Sequence, residues 1–292
     1  MNGTQSGLAR RAGRIAAVAA VLTVGLIAYG AWVRASGSGL GCPDWPLCYG
    51  TVAPELSKPT WIEWGHRLFA GVVVLTVALA TWTARQARPA DGGLFRLLAS
   101  VLGLLLVQAV LGGIVVLTEL NNLAVLLHLA LALASLALMV LAAVTGLVPA
   151  APLPLGRGAV LGITAGGALV LLAGSALVAT NVWANCPGLP LCDGRTDVGP
   201  GILHYAHRIG AAVLFVGLLA VAVRLSRAGG TALAKASAHG GLAVLLSQGV
   251  VGIAGVYWVF PEPVRILHLG LAGMAWACIS LLWALWLRGR AA

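Results

Sequence analysis

The feature that most constrains this 292-residue chain is a succession of eight apolar runs. Each is about 20 residues long, which is enough for a helix to cross a hydrocarbon core of about 30 Å. Long apolar runs without period-2 alternation favour helices over a β-barrel. We therefore predict an all-α integral membrane protein in the lipid bilayer, with transmembrane helices near 15–34, 64–84, 95–117, 123–146, 158–180, 203–224, 237–257 and 264–287.

Composition agrees with a membrane location. Only 9% of the residues are charged and the mean hydropathy is +0.98, whereas a soluble domain has about 25% charged residues. The first apolar run resembles a signal peptide, but it is too long for the apolar region of one and no clear cleavage site follows it. We expect it to be retained as the first helix.

The net charge of +10 is distributed as a topology signal and does not indicate a nucleic-acid partner. Eight spans put both termini on one side, and that side receives 12 of the 18 Lys and Arg residues but one of the 8 Asp and Glu residues. The more basic side of a membrane protein is normally cytoplasmic. We expect a multi-pass protein of the cell membrane with cytoplasmic N- and C-termini.

The second half of the chain repeats the landmarks of the first. A steady offset of 140 to 144 residues relates Cys42 to Cys186, His66 to His207, Gln108 to Gln248 and His128 to His268. A constant offset indicates an internal duplication. Because four helices per repeat give both halves the same orientation, we predict two tandem four-helix bundles related by a pseudo-two-fold axis along the membrane normal. Residues 1–147 and 159–292 form these halves, and residues 148–158 form a cytoplasmic linker.

Each half contains a pair of histidines 61 or 62 residues apart, His66 and His128 or His207 and His268, near the outer ends of its even-numbered helices. An isolated histidine in a membrane helix implies a partner, and facing helices can each supply one imidazole to a shared metal. Zinc or copper normally recruits more than two protein ligands, whereas a porphyrin already fills four positions on iron. We predict two bis-histidine haem iron sites near the outer face. Four histidines satisfied by hydrogen bonds between helices are the structural alternative.

The two predicted sites differ in one neighbouring side chain. Glu63 precedes His66 by three residues, a spacing that puts both on one helix face, whereas His204 holds that position before His207. Only the first half therefore has a carboxylate beside its histidine. Arg67 and Arg208 directly follow these histidines and are candidate contacts for haem propionates. A carboxylate wetted by the membrane interface is the simpler interpretation of Glu63 alone.

The two cysteine pairs and His239 have simpler interpretations. Two cysteines six residues apart on the oxidising side of the membrane favour a disulfide over a metal site, and this predicts the pairs Cys42–Cys48 and Cys186–Cys192. His239 has no counterpart in the other half, and we interpret it as an interfacial residue.

The ordered set of these features resembles the haem A synthase family. It comprises eight helices in two halves, an outer cysteine pair in each half, Glu-x-x-His-Arg on the second helix, and histidines on the fourth, sixth and eighth. The resemblance implies an oxidoreductase that oxidises the C8 methyl group of haem O to a formyl group, giving haem A for aa3-type terminal oxidases. It implies a haem b cofactor on His207 and His268, and substrate haem O near His66 and His128 with Glu63 taking part in the chemistry. A haem O synthase (farnesyltransferase) and an electron-transfer partner are implied through the pathway.

Two alternative functions explain these sequence features less completely. A dihaem b-type membrane cytochrome that transfers electrons from quinol would share the histidine pairs, but it does not explain a carboxylate in one half or four histidines at one depth. A haem carrier, or a thiol–disulfide oxidoreductase using the outer cysteines, is the other alternative. The latter usually requires Cys-x-x-Cys spacing. We expect Glu63→Ala to abolish haem A formation while haem b stays bound.

Overall fold

The computed structural model describes residues 3–55, 57–87, 92–180, 186, 188–190, 192 and 198–290. Within these ranges it contains the helices α1 (Gly3–Ala35), α2 (Lys58–Gln86), α3 (Gly92–Leu117), α4 (Asn122–Leu147), α5 (Arg157–Ala179), α6 (Val198–Arg227), α7 (Ala232–Tyr257) and α8 (Glu262–Arg290). All eight are long and apolar enough to cross a membrane. The predicted all-α, multi-pass membrane architecture is confirmed. Five residues of the charge count, Arg88, Asp91, Asp193, Arg195 and Asp197, lie outside the described residues.

Several helices extend beyond their predicted ends. The prediction was wrong for the start of α1, which begins at Gly3 instead of near 15, and for α2, which begins at Lys58 instead of near 64. Hydropathy marks only the section of a helix that lies in hydrocarbon, and these helices continue into the polar interface. At α2 the Ser57 side chain accepts a hydrogen bond from the backbone N–H of Thr60, and a proline lies in the first turn. Both are ordinary helix-start features.

The helices of each half contact one another in a closed ring. In the first half α1 contacts α2, α2 contacts α3, α3 contacts α4, and α4 contacts α1, and helices α5 to α8 repeat these pairings. The halves meet where α8 contacts α1 and α4, and where α4 contacts α5. Exchanging the halves maps this set of contacts onto itself, which supports the pseudo-two-fold relation. The axis and the domain boundaries stay predictions.

Two equivalent turns fix the depth of two histidines. Residues 119–120 between α3 and α4 have φ values of +52° and +64°, and residues 259–260 between α7 and α8 have φ values of +55° and +44°. Non-glycine residues rarely adopt this left-handed conformation. Each turn leads directly into the next helix, so His128 and His268 both lie six residues after the first residue of their helices.

The core combines close helix contacts with a polar tie between the halves. A Cβ atom built on Gly13 of α1 would lie 3.0 Å from the Cα of Gly146 on α4, which is the close backbone approach that small residues allow in membrane helices. Between the halves, the indole N–H of Trp276 donates to the carbonyl of Leu133 (2.8 Å). Both of these side chains are buried.

Candidate functional site

The four predicted ligand histidines lie at one end of the bundle. His66, His128, His207 and His268 are on α2, α4, α6 and α8, each six to nine residues after the helix start. Consecutive helices in the ring run in opposite directions, so the even-numbered helices all start at the same end. The common depth expected from the sequence follows from this connectivity.

The second-half pair has the separation of two imidazoles across a metal. The ring centroids of His207 and His268 are 6.4 Å apart. With metal–nitrogen distances of about 2 Å on each side, as in zinc sites, opposed imidazole centroids would be about 6 Å apart. His207 donates its Nδ1–H to the carbonyl of Val170 (3.0 Å), which leaves Nε2 with its lone pair. Metal-binding histidines commonly make such a bond with the other ring nitrogen.

In the first half, an aromatic side chain lies against one of the two histidines. The ring of Tyr29 on α1 lies edge-on to His66 with centroids 5.7 Å apart. This contact supports the imidazole of His66 on the α1 side.

Three of the four histidines contain a buried nitrogen that the described residues leave without a hydrogen bond. These nitrogens are Nδ1 of His66, His128 and His268. A buried polar atom without a partner costs about 1–3 kcal/mol. All four imidazole side chains are nevertheless only half-buried, so part of each ring stays accessible. Imidazoles that are partly accessible, three of them with a nitrogen that has no hydrogen-bond partner among the described residues, fit a site for a metal-bearing ligand.

A glycine on the preceding helix lies against the Cε1 edge of every one of these rings. A Cβ atom would lie 3.3 Å from His66 Cε1 at Gly30, 3.1 Å from His128 at Gly112, 2.7 Å from His207 at Gly174 and 3.1 Å from His268 at Gly252. Contacts below about 3.4 Å require the ring or the helix to move. The four glycines therefore form the space that each imidazole occupies.

Glu63 is held by the loop and the helix around it. The side chain is buried, with 4% exposure. The backbone N–H of Cys42 donates to Glu63 Oε2 (2.9 Å), and Arg67 Nη2 donates to Oε1 (2.6 Å). Both carboxylate oxygens thus have a charged or backbone donor. Glu63 lies three residues before His66 on α2, and its role in the first-half site stays a prediction.

The two arginines bind the disulfide loops. Arg67 Nη1 donates to the carbonyls of Asp44 (2.7 Å) and Leu47 (2.6 Å). Arg208 Nη1 donates to Gly188 (2.7 Å), and its Nη2 donates to Cys186 (3.0 Å). Sequence reasoning missed this role. The predicted propionate contacts stay predictions.

Each loop contains a disulfide, and the first loop lies over the first-half site. The Sγ atoms are 1.98 Å apart in Cys42–Cys48 and 1.93 Å in Cys186–Cys192. The indole of Trp45 packs on Gly113, the residue after the glycine that faces His128. Asp44 lies between the cysteines, and hydrogen bonds from the backbone N–H groups of Gly50 and Tyr49, just after Cys48, lower its pKa. The carboxylate and the disulfide together define the loop conformation above α3.

The glycines could have been found from the sequence. Gly30 and Gly174 are 144 residues apart, and Gly112 and Gly252 are 140 apart, which are the offsets of the other repeated landmarks. Among 39 glycines, however, these four have meaning only when the facing side chain is known. The second-half counterpart of Glu63, His204, is buried beside His207.

These features define a class of protein: a multi-pass helical membrane protein with two histidine pairs at one end and a disulfide loop over each half. Residues 13–280 match the family model COX15-CtaA, described as cytochrome oxidase assembly protein, and the chain belongs to this family. It is 30% identical over 276 residues to a protein of Symbiobacterium thermophilum named heme A synthase, covering 88% of this chain and 89% of that one.

Two further relatives carry the same name. The heme A synthase of Alkalihalophilus pseudofirmus is 26% identical over 265 residues, which is 86% of this chain and 89% of the relative. That of Bacillus pumilus is 39% identical over 116 residues, which is 39% of this chain and 38% of the relative. The family resemblance expected from the sequence motifs is confirmed.

Proposed function

We propose that this protein is a haem A synthase, an oxidoreductase that converts the C8 methyl group of haem O to the formyl group of haem A. The observation that carries the proposal is the asymmetry between two otherwise matching histidine sites. Both halves have a histidine pair, facing glycines and an arginine-bound loop, but Glu63 is present in the first half alone. The name shared by the relatives agrees with it.

In this proposal the two halves have different tasks. His207 and His268 hold a haem b cofactor, whose iron supplies one-electron redox chemistry when bound. His66 and His128 bind the substrate, haem O. Glu63 is the group beside the reacting methyl that holds or accepts a proton, and Arg67 keeps its carboxylate in place. The indole of Trp45, from the disulfide loop, packs on Gly113 beside this site.

We infer an orientation in which the histidine sites face the outer side of the cell membrane. The basic end of the bundle, with both termini, is then cytoplasmic, in keeping with the charge distribution. Disulfides are also favoured on that outer, oxidising side. A haem O-producing farnesyltransferase and an electron-transfer partner follow as proposed partners from the reaction.

The test is expression in a host that makes haem O but no haem A, followed by acid-acetone extraction and mass analysis of the haems. We expect haem A, or its hydroxylated precursor, only when the chain is present. His239→Ala is a suitable matched control, because His239 is an exposed histidine bonded to Lys235 O on α7 and should leave the product unchanged. Haem b alone, with a quinol-reducible spectrum, would instead establish the dihaem cytochrome.

A further inference from the structure

A cavity lies at the end of the bundle opposite the histidines. Its volume is about 240 Å³, and its lining includes Arg157 at the start of α5 and Trp286 and Arg290 near the end of α8. Leu153 and Leu155 of the linker form an apolar wall. Since α5 starts and α8 ends at this level, the cavity lies at the boundary between hydrocarbon and headgroups.

The linker beside the cavity is held by other side chains. Arg224 Nε donates to the carbonyl of Pro154 (2.6 Å), Arg288 Nε to Val148 (3.3 Å), and the Trp286 indole N–H to Leu155 (3.2 Å). These bonds fix the wall of the cavity. They also occupy two of the arginines in this region, so that Arg157 and Arg290 are the ones that line the cavity.

Arg157 and Arg290 bring two positive charges to one cavity. Within the described ranges neither has a carboxylate within ion-pair distance; the one ion pair there, Arg67–Glu63, lies at the other end of the bundle. The Arg290 guanidinium lies 4.9 Å from the centroid of the Trp286 ring. The helix start at Gly156 also lacks a side-chain cap, and its backbone N–H groups favour an anion nearby.

We propose that this cavity binds the headgroup phosphate of an anionic phospholipid. Guanidinium groups bind phosphate oxygens in a bidentate manner, and basic pockets between membrane helices at the basic face take anionic headgroups. The apolar wall and Trp286 suit the glycerol and the first acyl carbons, whereas a free phosphate ion would leave them uncovered. The cavity is smaller than the roughly 300–1,000 Å³ pockets of whole drug-sized ligands, which matches a headgroup with its chains outside.

The test uses the full chain purified in detergent, with thermal stability and native mass spectrometry as measurements that need no haem chemistry. Titration with phosphatidylglycerol should raise the Tm and give a retained lipid, whereas phosphatidylcholine and inorganic phosphate should do neither. In the double variant Arg157→Gln/Arg290→Gln the apparent affinity for phosphatidylglycerol should fall about 25-fold, because each arginine contributes a factor of about five. Arg157→Lys/Arg290→Lys should show a smaller loss, because charge remains without the bidentate geometry.

Arg10→Gln/Arg14→Gln is the matched control. It removes two exposed charges of the same sign at the same end of the bundle, away from the cavity lining. It should keep the response of the unmodified protein to phosphatidylglycerol. Equal responses in all variants would overturn the proposal, as would an equal Tm shift with inorganic phosphate. Haem A formation is not involved, so this result stands or falls apart from the proposed function.

Discussion

Single residues distinguish the two halves of this protein. His66 and His207 occupy matching positions, as do Arg67 and Arg208, but Glu63 is matched by His204. The carboxylate is buried and receives donors from Cys42 and Arg67. A buried, ordered charge in one of two otherwise similar sites is expected where the sites carry out different chemistry.

Glu63→Gln tests the chemical role with little change in shape. Gln can still accept the hydrogen bond from the Cys42 N–H, but it has no negative charge and cannot take up a proton. We expect haem A formation to fall by at least about 100-fold, the lower end of general acid–base contributions, with haem b still bound. The measurement is haem extraction alongside the absorption spectrum of the purified protein.

The histidine variants separate the two sites in the same assay. We expect His207→Ala to lose the haem b spectrum and His66→Ala to retain it. If Glu63→Gln formed haem A at the normal rate, the assignment of that carboxylate to the reaction would be wrong.

Arg67→Gln should destabilise the protein more than Arg208→Gln does. Removing one partner of a buried ion pair costs about 3–5 kcal/mol, and Arg67 pairs with Glu63 as well as binding its loop. Arg208 is the matched control, because it binds the equivalent loop carbonyls where the equivalent of Glu63 is a histidine. Thermal unfolding of both variants gives the comparison.

The double variant Glu63→Gln/Arg67→Gln tests whether the lost stability of Arg67→Gln comes from the ion pair. With no carboxylate left unpaired, it should recover part of the lost stability, within the coupling of about 0.5–3 kcal/mol found for contacting pairs. It should not recover haem A formation. Additive losses would show that the ion pair contributes little and that Arg67 acts through the loop alone.

Helices and loops position these residues through close contacts. Each ligand histidine fills the space in front of a glycine on the preceding helix, and each disulfide loop is bound by an arginine from the helix that follows it. The four glycines have no need of unusual backbone angles; what matters is the missing side chain. A side chain added at one of these glycines should therefore displace the imidazole that faces it.

Gly174→Ala and Gly162→Ala form a matched pair on α5. The new Cβ at position 174 would lie 2.7 Å from His207 Cε1, whereas at position 162 it meets nothing within 4 Å. In a helix interior Ala is favoured over Gly by about 1 kcal/mol, so Gly162→Ala should be neutral or slightly stabilising. The Gly174→Ala variant should lose the haem of the second half, and the measurement is the haem content per protein after purification. Equal haem content in the two variants would contradict the ligand role of His207.

At the scale of the whole molecule, the two halves are joined through α1, α4, α5 and α8. The bond from Trp276 to Leu133 crosses this interface between buried side chains, and Arg265 Nη2 bonds to the carbonyl of Ala35 (2.9 Å) nearer the histidine end. Both bonds link the two halves to each other directly.

Trp276→Phe should lower the stability of the assembled halves. It removes the hydrogen bond and some packing volume, with a combined cost of about 1–3 kcal/mol. That corresponds to a Tm loss of roughly 2–10 °C in a chain of this size. Trp82→Phe is the control, because the Trp82 side chain of α2 is 58% exposed and does not lie between the halves. A Tm unchanged in both variants would mean that the interface does not depend on this bond.

Hydropathy predicted all eight helices, because crossing hydrocarbon requires a long apolar segment whatever surrounds it. It placed the starts of α1 and α2 too late, since polar turns at the interface have no hydropathy signal. The repeat offset predicted His66, His128, His207 and His268 as a set. It did not predict that Arg67 and Arg208 bind loop carbonyls, because a carbonyl acceptor leaves no mark in the side-chain sequence.

By itself, the sequence determined the membrane class, the duplication and the residue types available at each site. Apolar length, a constant offset and the cost of a histidine in hydrocarbon are local or periodic properties, and they can be evaluated without knowing which helices touch. Only the tertiary structure decided that a glycine faces each imidazole, that Glu63 receives the Cys42 N–H, and that Arg157 and Arg290 share a cavity. These depend on contacts between segments far apart in the chain, whose geometry is set by helix packing as a whole.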